Sequence, residues 1–126
     1  MIIGLGIDIV DINRLKRSYE RFGRSFSDRI LHSEELKNLP HNPEQIPTFL
    51  ASRFAAKEAA VKALGTGFSQ DIHLQDIEVK KESNGAPLLI LHNQAKKRFD
   101  ELGATNSFIS ISHEKTMCVV VVILEK

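Results

Sequence analysis

The chain has no tryptophan, one tyrosine and one cysteine in 126 residues, and aromatics amount to only 6% of it. A lone cysteine closes no intrachain disulfide and builds no multi-cysteine zinc site, so a reducing, cytoplasmic compartment is expected. Cys118 lies in the run MCVVVVIL and reads as a buried small hydrophobe. An excess of one charge is missing too. A formal net charge of +1 provides no global field for a polyanion, so any anion site must be a local cluster. With so few aromatics, nucleic acid is not the expected partner. The longest apolar run, Met117 to Leu124, falls far short of the roughly 20 residues that span a bilayer, so no membrane partner is expected. The opening MIIGLGIDIV has neither the basic flank nor the cleavage region of a signal peptide. What is present, 42% hydrophobic and 26% charged residues, suits one soluble domain over residues 1–126.

Ile2 to Val10 is β-branched and apolar, interrupted by Gly4, Gly6 and Asp8, and reads as a strand. Ile12, Leu15, Tyr19, Phe22, Phe26 and Ile30 then recur at helical steps, with Gly23 and Ser25 breaking the stripe into two pieces. Ser33 to Leu36 suggests a short helix stopped near Leu39-Pro40. Three of the four prolines fall between Pro40 and Pro47 and mark a loop. A long alanine-rich helix is expected from about Thr48 to Leu64, ended by a left-handed cap at Gly65. Leu74 to Lys81 reads as a half-exposed strand, paired through an Asn84-Gly85 turn with Pro87 to Leu91. A helix over Asn93 to Leu102 and strands over Asn106 to Ser112 and Met117 to Leu124 complete the chain. The order predicts an α+β fold with helices packed on a mainly antiparallel sheet. Met117 to Leu124 lacks polar alternation. Such a strand is expected to be covered on both faces, which a small chain achieves most easily with a neighbouring subunit.

Asp8 stands inside an apolar strand, where a carboxylate needs pairing, a hydrogen bond or a metal. It also reads as a helix cap jointly with Asp11, the better-placed of the two. Glu58 and Lys62 lie four apart on the alanine-rich helix, beside Lys57, with Phe54 one turn earlier. An exposed i, i+4 pair is the simpler account; the flanking alanines suggest instead a helix packed on several sides. Together Asp8 and Glu58 offer the hard oxygens magnesium prefers, with Lys62 placed for a phosphate. Gly65-Thr66-Gly67 follows a helix rather than preceding one, so it is no Walker loop, and reads as a cap, of the glycine-rich kind that can present N–H groups to an anion. His113 has no second histidine or cysteine nearby, so a zinc site is not expected there. A Ser112–His113 hydrolase is disfavoured because adjacent strand residues face opposite ways. Arg14, Arg17, Arg21 and Arg24 line one face beside the apolar stripe, a solvated surface or a docking site for an acidic protein.

The segments Gly6-Ile7-Asp8-Ile9-Val10, Arg53 through Gly67, and Ile109-Ser110-Ile111-Ser112-His113 together resemble the three motifs of the holo-[acyl carrier protein] synthases. These are the small bacterial type of 4′-phosphopantetheinyl transferase. The motifs come in order and at family-like spacing from the first strand to the last; the central one is long and specific. The resemblance implies transfer of the phosphopantetheine arm of coenzyme A to a serine of apo-acyl carrier protein, in fatty acid biosynthesis, with adenosine 3′,5′-bisphosphate as the other product. It implies a homotrimer with active sites between neighbouring subunits. Asp8 and Glu58 are implied as Mg²⁺ ligands, Lys62 as the phosphate contact, and Glu58 as base, directly or through water. Arg53, Lys62, Gly65, Thr66 and His113 are implied around coenzyme A, and Arg14, Arg21 and Arg24 on the surface that meets the carrier. After His113 the chain departs from the family by carrying Thr116, Met117, Cys118 and four valines, where alanines and an aromatic are frequent. On the residues alone, a non-catalytic adaptor for an acidic protein and a magnesium-dependent nucleotide phosphohydrolase stay open.

Overall fold

The first strand and the alanine helix are shaped for each other. In the computed structural model, which describes residues 1–126, strand β1 spans Ile2–Asp11 and helix α4 spans Ile46–Leu64. A Cβ on Gly6 would sit 1.9 Å from the Ala59 carbonyl oxygen, and one on Gly4 would sit 2.3 Å from that of Ala63. Only glycine on the strand and alanine on the helix allow so close an approach. Alternation along β1 then turns Leu5, Ile7 and Ile9 away from α4.

Between these elements come α1 (Ile12–Phe22), α2 (Arg24–Ile30) and the single turn α3 (Ser33–Leu36). Asp11 alone caps α1, accepting the Asn13 backbone N–H at 2.9 Å. Gly23, at φ 57° and ψ −135°, separates α1 from α2. A 3-10 turn over Pro43–Gln45 leads into α4 two residues earlier than expected, at Ile46. Pro47 lies within the first helical turn, where its missing N–H has no intrahelical partner to lose. Gly65 ends the helix at φ 77° and ψ 12°.

Strands β2 (Ile77–Lys81) and β3 (Pro87–Leu91) form the expected hairpin as a separate two-stranded sheet. Strand β2 is shorter than Leu74 to Lys81 because Leu74–Asp76 is a 3-10 turn. It is also not half-exposed at its start: Ile77, Glu78 and Val79 are all buried. Helix α5 (Asn93–Glu101) precedes β4 (Asn106–His113) and β5 (Met117–Glu125). The main sheet has the order β1-β5-β4, antiparallel throughout, so the fold is α+β.

Cys118, Val120, Val122 and Leu124 of β5 are buried beneath α4, while Val119, Val121 and Ile123 are only half-covered. The expectation of two covered faces is therefore met on one face by the chain itself. The other face is apolar and open: Leu5 (64%), Ile7 (59%), Ile9 (61%) and Phe108 (52%) all remain exposed. No helix is long and apolar enough to cross a membrane.

Candidate active site

Asp8 shares the α4-facing side of β1 with Gly4 and Gly6, so the close crossing delivers it to the helix. Lys62 meets it there: its Nζ donates to Asp8 Oδ1 at 3.1 Å and to the Ile7 carbonyl at 2.9 Å. The Asp8 side chain is 16% exposed and that of Lys62 52%. Burial pushes the Glu58 carboxyl above the usual carboxylate range, and the Asp8 charge pushes it the same way; Lys62 and Arg14 pull against them. Asp8, Glu58 and Lys62 are thus one electrostatic group. Its carboxylates are hard-oxygen donors held close enough to repel each other, an arrangement that fits a divalent cation.

A 370 Å³ cleft runs beside Glu58, walled by Phe54, Phe68, Ile72 and Leu74 and edged by Asp71, His73 and Gln75. Gln70 and Asp71 both adopt left-handed backbone there, at φ 56° and 62°, a conformation that costs non-glycine residues about 1–2 kcal/mol each. The turn brings the Asp71 carboxylate 2.8 Å from His73 Nε2. Of this slot, the helical spacing pointed only to Phe54; the rest comes from a loop whose path carries no periodic signal.

Arg53 and His113 also meet, but elsewhere. Both line a 530 Å³ cavity with Phe49, Ser52, Lys81 and Gly85. The Arg53 guanidinium lies 4.3 Å from the Phe49 ring centroid and donates to Ser52 Oγ at 3.2 Å, and its buried Nε has no hydrogen-bond partner. Burial lowers its pKa, with Glu35 opposing. Asp8 and His113 stand on opposite edge strands of the three-stranded sheet, and the register sets His113 level with Val10, not Asp8, so two strand spacings and two residues of rise put them about 12 Å apart. Ser112 faces away from His113, as alternation requires.

Gly65 and Thr66 form the helix stop. The N–H groups of Gly65, Thr66 and Gly67 all donate back to the Lys62 and Val61 carbonyls, at 3.1–3.2 Å. None is left over for an anion. The Thr66 hydroxyl likewise donates within the turn, to the Gly67 carbonyl at 2.8 Å. Arg98 donates through Nε to the Leu64 carbonyl at 3.0 Å and brings a cation to the helix C-terminus.

The arginine row divides at Gly23. Arg14 and Arg21 lie on α1, where the guanidinium of Arg14 is 5.6 Å from the Phe54 ring and that of Arg21 is 5.0 Å from Phe22. Arg24 begins α2 and pairs loosely with Asp28 at 3.8 Å. Arg14 thereby links the basic face to the carboxylate group, since its charge reaches Glu58.

Lys57 belongs to none of this. It is fully buried, donating to Glu35 Oε1 at 2.6 Å, to the Leu74 carbonyl at 3.1 Å and to the Ile77 carbonyl. Glu35 also accepts the His32 N–H at 2.9 Å and the Val79 N–H at 3.0 Å. The ion pair fastens α4 to α3 and the hairpin.

Residues 4–118 match the family model of the 4′-phosphopantetheinyl transferase superfamily. A holo-[acyl-carrier-protein] synthase of Nitratidesulfovibrio vulgaris is 51% identical over 126 residues, covering 99% of both chains. The crystal structure of holo-[acyl-carrier-protein] synthase from Neisseria meningitidis superposes with a TM-score of 0.90 at 35% identity, over 100% of each chain. That of a Bacillus anthracis holo-(acyl-carrier-protein) synthase, in complex with CoA (3′,5′-ADP), gives 0.78 at 36% identity over 98% of this chain and 96% of that one. With full-length identity of this order and the same fold, the chain belongs to the holo-[acyl-carrier-protein] synthases of the 4′-phosphopantetheinyl transferase superfamily.

Proposed function

We propose that this chain transfers the 4′-phosphopantetheine arm of coenzyme A to a serine of an apo-acyl carrier protein, yielding holo-carrier for fatty acid biosynthesis and adenosine 3′,5′-bisphosphate. The observation that carries this reading is the Asp8–Glu58–Lys62 group, set by the glycine–alanine crossing, with Glu58 lining a half-apolar cleft. Asp8 and Glu58 would hold Mg²⁺, which when bound neutralises diphosphate charge. Lys62 meets a phosphate oxygen and steadies the departing nucleotide. Glu58, directly or through a water, takes the proton of the carrier serine as its oxygen attacks the phosphorus next to the pantetheine. The bond from that phosphorus to the bridging oxygen breaks, and the electron pair leaves with the nucleotide. The half-apolar cleft suits the slender arm. Arg14, Arg21 and Arg24 offer the acidic carrier a row of cations beside the site.

The assembly in this proposal is a cytoplasmic homotrimer of one-domain chains, with each active site between neighbours. Two features support it. The outer sheet face leaves Leu5, Ile7, Ile9 and Phe108 more than half exposed, an apolar patch of the kind that marks an interface. Arg53 and His113 line a cavity that none of Asp8, Glu58 and Lys62 lines. A nucleotide touched by both sets would then lie between two copies, with Gly65 and Thr66 at the margin.

The test is incubation with coenzyme A, Mg²⁺ and apo-carrier protein, followed by intact-mass measurement of the carrier. One phosphopantetheine added per carrier is expected. No mass gain from folded protein refutes the transferase; nucleotide release without carrier modification points to a phosphohydrolase, and carrier capture alone to an adaptor.

A further inference from the structure

On the flank of the molecule away from Asp8, three metal-ligating side chains converge from three different elements. His32 caps α3, Glu78 lies in β2 and His92 caps α5. One ligand atom from each lies within 4.8 Å of the others. Glu78 Oε1 is 2.9 Å from His92 Nε2 and 3.7 Å from His32 Nδ1. The two imidazoles stack at 4.4 Å, with their planes 9° apart. We propose that these residues form a second metal site, a His₂Glu centre for a zinc-type divalent cation, separate from the magnesium chemistry of the transferase.

The argument rests on charge, spacing and donor type. Glu78 is 7% exposed, and a buried carboxylate needs a compensating charge. Its ion-pair partners are the two histidines. Lys57, the cation whose ammonium feels Glu78, is already committed to Glu35 and two carbonyls. A metal–ligand bond of about 2.0–2.1 Å in tetrahedral geometry sets ligand atoms about 3.3 Å apart. The measured 2.9 and 3.7 Å fall on either side of that value, and the third pair lies within 4.8 Å; because imidazole lone pairs lie in the ring planes, one of the two stacked rings must turn out of the stack for both nitrogens to converge on an ion. Two imidazoles and one carboxylate are the donor set of zinc sites with one open position. The partial exposure of the His32 and His92 side chains, 22% and 32%, leaves a path for water to fill it.

The cost is local. Coordination through His32 Nδ1 displaces the Glu34 N–H that it now accepts at 3.0 Å. The reciprocal contact from Glu35 to the His32 N–H can remain. The ion would staple α3, the hairpin and α5 together, a structural role, while Asp8 and Glu58 supply only oxygens and suit magnesium.

The experiment titrates Co²⁺ into chelator-treated full-length protein, followed by its visible absorption and by thermal unfolding. One equivalent should give the intense bands of a four-coordinate cobalt centre, bleached by Zn²⁺, and saturating Zn²⁺ should raise Tm by about 5 °C or more. His92→Ala and His32→Asn should each weaken Co²⁺ binding at least tenfold; His32→Asn keeps a capping oxygen for α3 and so keeps the fold. Asp8→Ala should leave the spectrum unchanged. Absence of bands and of any Tm shift in the wild type overturns the proposal. Undiminished binding by the folded His32→Asn protein, or loss of the bands in Asp8→Ala, does the same.

Discussion

Replacing Lys57 with methionine removes a cation from the core without changing the length of its stem. In the structure, Lys57 and Glu35 are 0% and 1% exposed, and all three ammonium N–H groups are used. The substitution leaves the Glu35 carboxylate buried and strips an N–H donor from the Leu74 and Ile77 carbonyls. Breaking a buried pair from one side typically costs about 3–5 kcal/mol. Glu35 keeps two backbone donors and has Arg53 Nε at 3.8 Å as a second cation, which places the cost at the lower end, about 3 kcal/mol. With a urea slope of about 1.5–2 kcal/mol/M, the unfolding midpoint should fall by about 1.5–2 M at fixed subunit concentration. The diagnostic variant is the double one. Adding Glu35→Gln to Lys57→Met removes the stranded charge and keeps an oxygen for one backbone donor. It should recover about 1–2 kcal/mol relative to Lys57→Met alone. A double variant as unstable as the sum of the singles would refute the reasoning, because the cost would then be lost packing and not an uncompensated charge. A kinetic consequence accompanies it: Arg53, drawn toward Glu35, leaves the cavity it shares with His113. KM for coenzyme A should therefore rise in Lys57→Met more than kcat falls.

Gly6→Ala places a methyl where the Ala59 carbonyl already stands, so β1 and α4 must separate; a stability loss of about 3 kcal/mol or more is expected. The same movement carries Asp8 away from Glu58, and a displacement of about 1 Å at a reacting centre can cost 10²-fold in rate. Urea unfolding measures the first effect, and stopped carrier-mass assays on the folded fraction measure the second. Arg14→Glu with Arg21→Glu should raise KM for the carrier protein far more than KM for coenzyme A, and steady-state kinetics with each substrate varied in turn would expose an equal loss as a contradiction of docking.

The elements themselves were legible because their signals are local. The alanine run with Gly65 behind it, the Asn84-Gly85 turn and the helical stripe broken at Gly23 all reappear in place. The fit between elements was not legible. Gly4 and Gly6 read merely as interruptions of a strand, yet they mark where the Ala63 and Ala59 carbonyls press against it. Glu78 alternates with Ile77 and Val79 as an exposed strand residue would, and it is buried because His32 and His92 arrive from distant segments. Glu35 falls in the short Ser33–Leu36 segment and Lys57 beside Glu58, and neither position shows in the sequence that the two form a buried ion pair. Both meanings depend on a partner that no short window contains. The candidate site residues stand out by type and motif, whereas their division into two groups follows from the register of α4.

That register explains why so short a helix segment can hold together so many roles. Successive residues turn by about 100°, so Lys57 and Glu58, neighbours in sequence, face different surroundings: one the interior, the other the cleft. Lys62, one turn past Glu58, returns to the same flank and reaches Asp8. Arg53, about 140° around from Glu58, faces the cavity of His113 instead. Helix α4 is therefore walled on one side by the sheet and occupied on another by the Glu35 ion pair, with chemistry on the two flanks that remain. Those flanks open in different directions from one chain. The sheet face turned away from α4 stays apolar and exposed at Leu5, Ile7, Ile9 and Phe108, and the proposed assembly would seat a second copy there.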